Sequence, residues 1–179
     1  YDAPVASYWP EFAANGKERV LVKHFLSHSA GLSGLDAQVA IEDLYDWDKI
    51  TGLLAAQRPW WEPGTRSGYH ALTQGYLIGE IVRRVTGRTL GAFFRSEIAA
   101  PLGADFHIGL DEREFGRVAD LVPPPPASLA GNVDPESIAA RTFRSPPIDA
   151  LASRTAAWRK AEIPAANGHG NARSVARIQ

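Results

Sequence analysis

Residues 20–32 read Val20-Leu21-Val22-Lys23-His24-Phe25-Leu26-Ser27-His28-Ser29-Ala30-Gly31-Leu32, and the reading of this stretch decides how the rest of the chain is placed. Leu21, Val22, Phe25 and Leu26 recur at helical spacing between Val20 and Ser29. Gly31 is the natural residue to close such a helix, because glycine accepts a left-handed backbone. His24 and His28 stand four residues apart, the separation at which two imidazoles on one helix face reach a single metal. A zinc hydrolase of the HExxH type also needs a glutamate directly after the first histidine, and Phe25 stands there instead. With no third ligand in view, the two histidines are read as local hydrogen-bonding residues and no metal is expected.

Upstream of this stretch, Asp2-Ala3-Pro4-Val5 through Trp9-Pro10 is aromatic and punctuated by proline, and is read as an extended segment lying on a surface. Downstream, a weaker helical region runs from Ile41 to about Leu54 and gives way at Gln57-Arg58-Pro59. Trp60-Trp61-Glu62-Pro63-Gly64-Thr65 forms a turn around Pro63-Gly64. The loop Ser67-Gly68-Tyr69-His70-Ala71 leads into the strongest helical pattern, with Ile78, Ile81, Val82 and Val85 at i, i+3, i+4 and i+7. Gly87 stops that helix and Thr89 caps the next, whose stripe is Leu90, Phe93, Phe94 and Ile98, closed by Pro101-Leu102-Gly103.

Beyond Phe106 the periodicity weakens. Pro123 to Pro126 predicts an extended connector, and Pro135, Pro146, Pro147 and Pro164 break the rest of the chain into short pieces. Gly168-His169-Gly170, inside the Gly/Asn-rich run from Asn167 to Asn171, is read as a turn and not as a strand. Asn171 to Gln179 begins a helix, with Val175 and Ile178 on one side, that is expected to run on past the last residue. No internal repeat is present.

Composition narrows the classes. A hydrophobic fraction of 45% and a charged fraction of 22% over 179 residues suit one globular domain with a sizeable core. Nineteen basic and 20 acidic residues are interspersed, so the basic footprint of a nucleic-acid binder is missing. The absence of cysteine excludes disulfides, thiolate catalysis and Cys-based zinc sites. No run approaches the roughly 18 apolar residues of a membrane helix. The chain opens on Tyr1 and holds no methionine, so a leader segment and the compartment stay open.

The nucleophilic motifs are incomplete. G-x-S-x-G is absent: Gly64-Thr65-Arg66-Ser67-Gly68 has its serine displaced by one, and Gly31-Leu32-Ser33-Gly34 also fails, which disfavours an ordinary α/β-hydrolase. No serine has a lysine three residues on, so Ser-x-x-Lys is absent as well. Tyr69 ends a Gly-flanked loop just before a strong helix, a placement that suits either a side chain projecting into a cleft or a buried structural tyrosine. A phenol is a poor base at neutral pH unless a nearby ammonium stabilises the phenolate. Trp47, Trp60 and Trp61 suit an acyl pocket and suit core anchors equally.

Four ordered segments between residues 20 and 105 resemble the serine β-lactamase-like (penicillin-binding-protein-like) family, which includes class C β-lactamases, DD-peptidases and family VIII carboxylesterases. Val22 to Leu32 is similar to its "(I/V)-R-H-L-L-(S/T)-H-(T/S)-(S/A)-G-L" segment, and Glu62 to Tyr69 to its "P-G-x-x-(F/W)-x-Y-S" approach to a catalytic tyrosine. Gly75 to Val82, through Thr86-Gly87-Arg88, resembles the helix downstream of that tyrosine, and Pro101-Leu102-Gly103-Ala104 the "P-L-G-M" closing the next one.

The resemblance implies an α/β fold of the β-lactamase/transpeptidase type for the whole protein. Residues 1–179 are then a partial, mainly α piece corresponding to the helical domain and flanking loops. The Ser-x-x-Lys helix is expected upstream and the Lys-Thr-Gly-like strand downstream. By position Tyr69 carries over as the catalytic tyrosine, with His70, Trp60 and Trp61 expected to bind substrate. The family's Tyr-x-Asn reads Tyr69-His70-Ala71 here, and the lost asparagine leans the expectation from lactams toward esters. The implied activity is ester hydrolysis through a serine acyl-enzyme with a Lys/Tyr base. It needs no cofactor or metal and takes a small-molecule ester or lactam as partner, and these residues alone are expected to be inactive. The alternatives are a β-lactamase or DD-peptidase, and a catalytically silent binding homologue.

Overall fold

The structure, a computed structural model, describes residues 1–123, 134–147 and 149–179. Helices dominate it: α1 (Val22–Leu26), α2 (Trp47–Ala56), α3 (Thr73–Thr86), α4 (Leu90–Phe94), α5 (Ile138–Thr142), α6 (Ala156–Lys160) and α7 (Ala172–Ile178), joined by short 3₁₀ turns. Among the described residues one two-stranded antiparallel sheet is present. It pairs β1 (Phe106–Ile108) with β2 (Gly168–Gly170), placing Phe106 opposite Gly170 and His107 opposite His169.

The opening segment corrects the surface reading. It coils into 3₁₀ turns over Val5–Ser7 and Pro10–Ala13, and Val5, Trp9 and Phe12 are buried. The reason lies in what the aromatics meet: Phe12 packs edge-on against Phe25 of α1 at 5.3 Å and tilts against Trp9 at 5.0 Å. Backbone bonds from Val5 N to Val20 O (2.8 Å) and from Val22 N to Ala3 O (3.1 Å) tie the segment down. These bonds also hold Val20 and Leu21 outside the helix, so α1 is shorter than its apolar periodicity suggests. Its end differs too. The residue that closes the helix is His28, left-handed at φ +57°, with Ser29 N returning to His24 O at 2.9 Å in a Schellman closure; Gly31 is left-handed too (φ +77°), but lies beyond that closure.

The region read as one helix from Ile41 to Leu54 is two elements. A 3₁₀ turn covers Ile41–Tyr45; the chain then extends at Asp46, whose carboxylate caps α2 by accepting Lys49 N at 3.0 Å. Beneath the end of α2, the fully buried Lys17 donates to Ala14 O at 2.7 Å and to Gln57 O, and burial pushes its ammonium down to about 8.

The strongest helix forms as its pattern predicts, but the face it buries most deeply is rotated from the predicted stripe. Thr73, Tyr76, Leu77 and Glu80 are buried; Ile78 and Ile81 of the stripe pack half-buried against the core, whereas Val85 is exposed. Tyr76 donates to Leu44 O at 2.6 Å, and Glu80 accepts from Trp47 Nε1 (2.7 Å), Arg83 Nε (2.8 Å) and Arg84 Nε (2.7 Å). Burial alone would raise the Glu80 pKa; the Trp47, Arg84 and Arg83 hydrogen bonds outweigh it and hold the carboxyl below its usual range. Gly87 is left-handed at the end of α3 (φ +68°), and Thr89 Oγ1 caps α4 by accepting Ala92 N at 3.2 Å. α4 runs on as a π-helical turn over Arg95–Ala99 before Pro101.

Gly168-His169-Gly170 is a strand, which corrects the turn reading. Its glycines serve Phe106: a Cβ on either would lie 2.5 Å from the Phe106 ring, so the ring packs on bare backbone. α7 forms where expected, with Asn171 Oδ1 accepting Ser174 N at 3.0 Å. Of the proline run, residues 124–126 lie outside the described residues.

Candidate active site

Segments 28–32 and 60–70 lie side by side and are bonded like the two strands of an irregular ribbon. The carbonyls of His28, Ser29 and Gly31 accept the amides of Gly68 (3.0 Å), Gly64 (2.9 Å) and Trp60 (2.7 Å). The approach is close enough to require glycine at Gly31, where a Cβ would lie 2.6 Å from the Trp61 carbonyl oxygen. Gly68 is required for the same reason, because a Cβ there would lie 2.6 Å from the Trp61 ring.

Tyr69 sits at the tip of this ribbon with 64% of its surface exposed, and its ring tilts against that of His28 at 5.1 Å. The backbone amides of both its neighbours are held by one residue. Gly68 N donates to the His28 carbonyl, and His70 N donates to His28 Nδ1 at 3.0 Å. Tyr69 is thus presented outward from a backbone anchored on both sides.

His70 lies behind the loop and is only 1% exposed. Its Nε2 accepts Leu32 N at 3.2 Å, so the proton of the neutral ring is on Nδ1, donating to Gly68 O at 2.6 Å. Burial, opposed by the Gly68 carbonyl and reinforced by the nearby His28, pushes its pKa down to about 4. Trp61 is buried beside it, edge-on to the imidazole at 6.0 Å, with its indole N–H on Arg66 O at 3.0 Å. Trp60 points elsewhere: its indole N–H donates to Asp36 Oδ1 at 2.9 Å and the Arg141 guanidinium covers its ring at 4.0 Å. The four residues singled out in the sequence are therefore one exposed phenol, two buried rings that support it, and one ring closed by an arginine.

His24 and His28 do not converge on a common point. His24 Nδ1 accepts Leu21 N at 3.3 Å, whereas His28 Nδ1 faces His70 N. Among the described residues no group of three or more His, Asp or Glu side chains is arranged to hold a metal ion. Ser33 is buried against Thr142 Oγ1 at 2.8 Å, which removes it as a nucleophile. His28 is the residue whose part the sequence reading missed. The resembling segment marked its position, but not its left-handed backbone or the target of its imidazole.

A cleft of about 400 Å³ lies elsewhere, between residues 105–121 and 166–171, and excludes Tyr69. Its charged lining is internally paired, with Arg117 bonded to both Asp105 and Glu114.

Comparison with known proteins identifies the family and the fold. A family model described as Beta-lactamase matches residues 1–178. The "Esterase/beta-lactamase LipL" of Mycobacterium tuberculosis is 40% identical over 99% of this chain and 43% of its own length. The crystal structure of a family VIII carboxylesterase superposes with a TM-score of 0.90 at 46% identity, covering 99% of this chain and 47% of that one. A penicillin-binding protein homolog from Caulobacter crescentus gives 0.84 at 44% identity, with the same coverage. The chain thus spans about half the length of the relatives it matches. Its fold is the β-lactamase/transpeptidase-like one, of which these residues form a mostly helical part. On a match that runs from the first residue to the last but one, the chain belongs to the beta-lactamase family.

Proposed function

We propose that these residues supply the tyrosine of a serine hydrolase that cleaves small carboxylic esters by acyl transfer. In this reading a serine from a segment outside residues 1–179 attacks the ester carbonyl. Tyr69, paired with a lysine of that same segment, takes the serine's proton and passes it to the departing alcohol. Water then attacks the acyl-enzyme, with Tyr69 again removing the proton. The supporting observation is the exposed Tyr69 phenol on a loop fixed at the backbone amides of both its neighbours. His70 and Trp61 support that loop from beneath, whereas the Trp60 ring is turned toward Asp36 and Arg141 and has no part in this reading. Ala71, standing where the family motif has asparagine, removes an amide-binding group and favours an ester over a lactam. The carboxylesterase name of one relative and the esterase half of LipL's name point the same way.

The test is kinetic. In the full-length protein, Tyr69→Phe should lower kcat for p-nitrophenyl butyrate by roughly 10²–10⁴-fold, the span of a lost general base, with the circular dichroism spectrum unchanged. Unchanged turnover in this variant would remove Tyr69 from the mechanism. Residues 1–179 by themselves should show no turnover. Since LipL's name also includes a β-lactamase, nitrocefin is the comparison substrate, and faster opening of nitrocefin than of the ester would select the lactamase reading.

A further inference from the structure

We infer that His28 is a positioning residue for Tyr69: it holds the backbone amides of Gly68 and His70, the residues on either side of the tyrosine, and so fixes where the phenol projects. The inference rests on the proposed role of Tyr69 and adds to it the residue that sets the geometry of that site.

Three observations carry it. The first is the backbone. His28 adopts φ +57°, a left-handed conformation that is strained for most side-chain-bearing residues and that glycine or asparagine fills more easily. Closing α1 does not require an imidazole. The second is what the imidazole does in that conformation. Nδ1 accepts His70 N at 3.0 Å while the carbonyl of the same residue accepts Gly68 N at 3.0 Å, so one residue spans Tyr69. The third is the packing: the ring lies 5.1 Å from that of Tyr69 and 5.6 Å from that of His70, between the exposed phenol and the buried imidazole. Without Nδ1 the His70 amide loses its acceptor. The loop must then turn that N–H toward water, and the Tyr69 backbone moves with it.

Two substitutions separate the acceptor from the backbone conformation, and both residues tolerate φ near +57°. His28→Asn retains an acceptor oxygen about where Nδ1 lies; His28→Gly retains none. In the full-length protein His28→Gly should lower kcat for p-nitrophenyl butyrate by between about tenfold and a hundredfold, the cost of misplacing a reacting group, with KM within about threefold. His28→Asn should restore kcat to within about threefold of the parent. In the Tyr69→Phe background His28→Gly should cost nothing more, because there is then no phenol to misplace. Amide hydrogen exchange at His70 should quicken in His28→Gly and stay slow in His28→Asn. Full kcat together with slow exchange in His28→Gly would overturn the inference, as would a His28→Asn variant as impaired as His28→Gly. If Tyr69→Phe itself retains full activity, the proposed function falls, and the exchange rates alone decide whether His28 holds the loop.

Discussion

The hydrophobic cluster draws Val5, Trp9, Phe12, Phe25, Leu32, Ile50, Leu54, Tyr76 and Leu77 from residues 1–103, whereas from residues 105–179 only Trp158 and Ile163 are buried in it, among the described residues. The second stretch is tied down by directional bonds instead. Asn167 donates to Trp158 O (2.9 Å) and Ala161 O and accepts Ile163 N (2.9 Å), while Glu162 accepts Thr89 Oγ1 (2.6 Å) and Gly91 N (2.9 Å). Ser145 Oγ reaches across to Ala37 O at 2.7 Å and Val39 N at 2.9 Å. Apolar burial is non-directional and fixes which faces meet; a hydrogen bond fixes where one group sits. The Tyr69 loop belongs to the first stretch by sequence but is held in the manner of the second, by His28, His70 and backbone carbonyls. A site that must place one phenol needs the directional kind of support.

The largest expected effect probes a polar hub inside the apolar stretch. Glu80→Ala removes a 1%-exposed carboxylate, leaving the Trp47 indole N–H without its acceptor and Arg83 and Arg84 without their shared partner. It should cost about 4 kcal/mol in urea unfolding with an unchanged m-value. A loss of under about 1 kcal/mol would mean that apolar packing alone holds this stretch.

Acid probes the loop next. His70 is held neutral with a pKa of about 4, below the ordinary histidine value, so between about pH 6.5 and 4 the unfolded chain binds a proton that the native state refuses. Stability therefore falls as pH falls through that window, by about 3 kcal/mol from this residue. The groups facing His70 are the Gly68 carbonyl, the Leu32 amide, the His28 imidazole and the Trp61 ring. Amide exchange across residues 60–70 should rise first, before global unfolding. A pH profile that does not flatten over this window in His70→Gln would assign the acid sensitivity elsewhere.

The smallest effect tests the second stretch. Asn167→Ala leaves the Ile163 amide and two carbonyls unpaired in a buried position and should cost about 2 kcal/mol. Exchange should quicken around residues 158–170 while residues 20–60 stay protected. Uniform destabilisation would show that the two stretches unfold as one unit.

Local signals were legible. Gly87, Thr89 and Asn171 end and begin helices as their residue types predict, since a left-handed C′ position or a side-chain cap involves only a few neighbouring residues. The candidate site was legible in part. Tyr69 was marked by a resembling segment, yet its exposure, the burial of His70 and Trp61 and the closure of Trp60 by Arg141 were not. Arg141 stands 81 residues from Trp60 in the sequence, beyond any periodic signal.

By itself the sequence determined a mostly helical chain resembling one family, with its main helices in the right order, and it marked Tyr69 as the candidate for that family's catalytic tyrosine. Only the tertiary structure decided that Val5, Trp9 and Phe12 are core, that α3 turns Tyr76 and Glu80 inward and leaves Val85 outside, and that Gly168 to Gly170 is a strand. It also decided that His28 is left-handed and spans Tyr69. The physical reason is common to all of these. Caps and turns are settled by neighbours along the chain. The buried face of a helix, the partner of a strand and the target of an imidazole are settled by groups tens of residues away, such as Phe106 opposite Gly170 and His28 against His70.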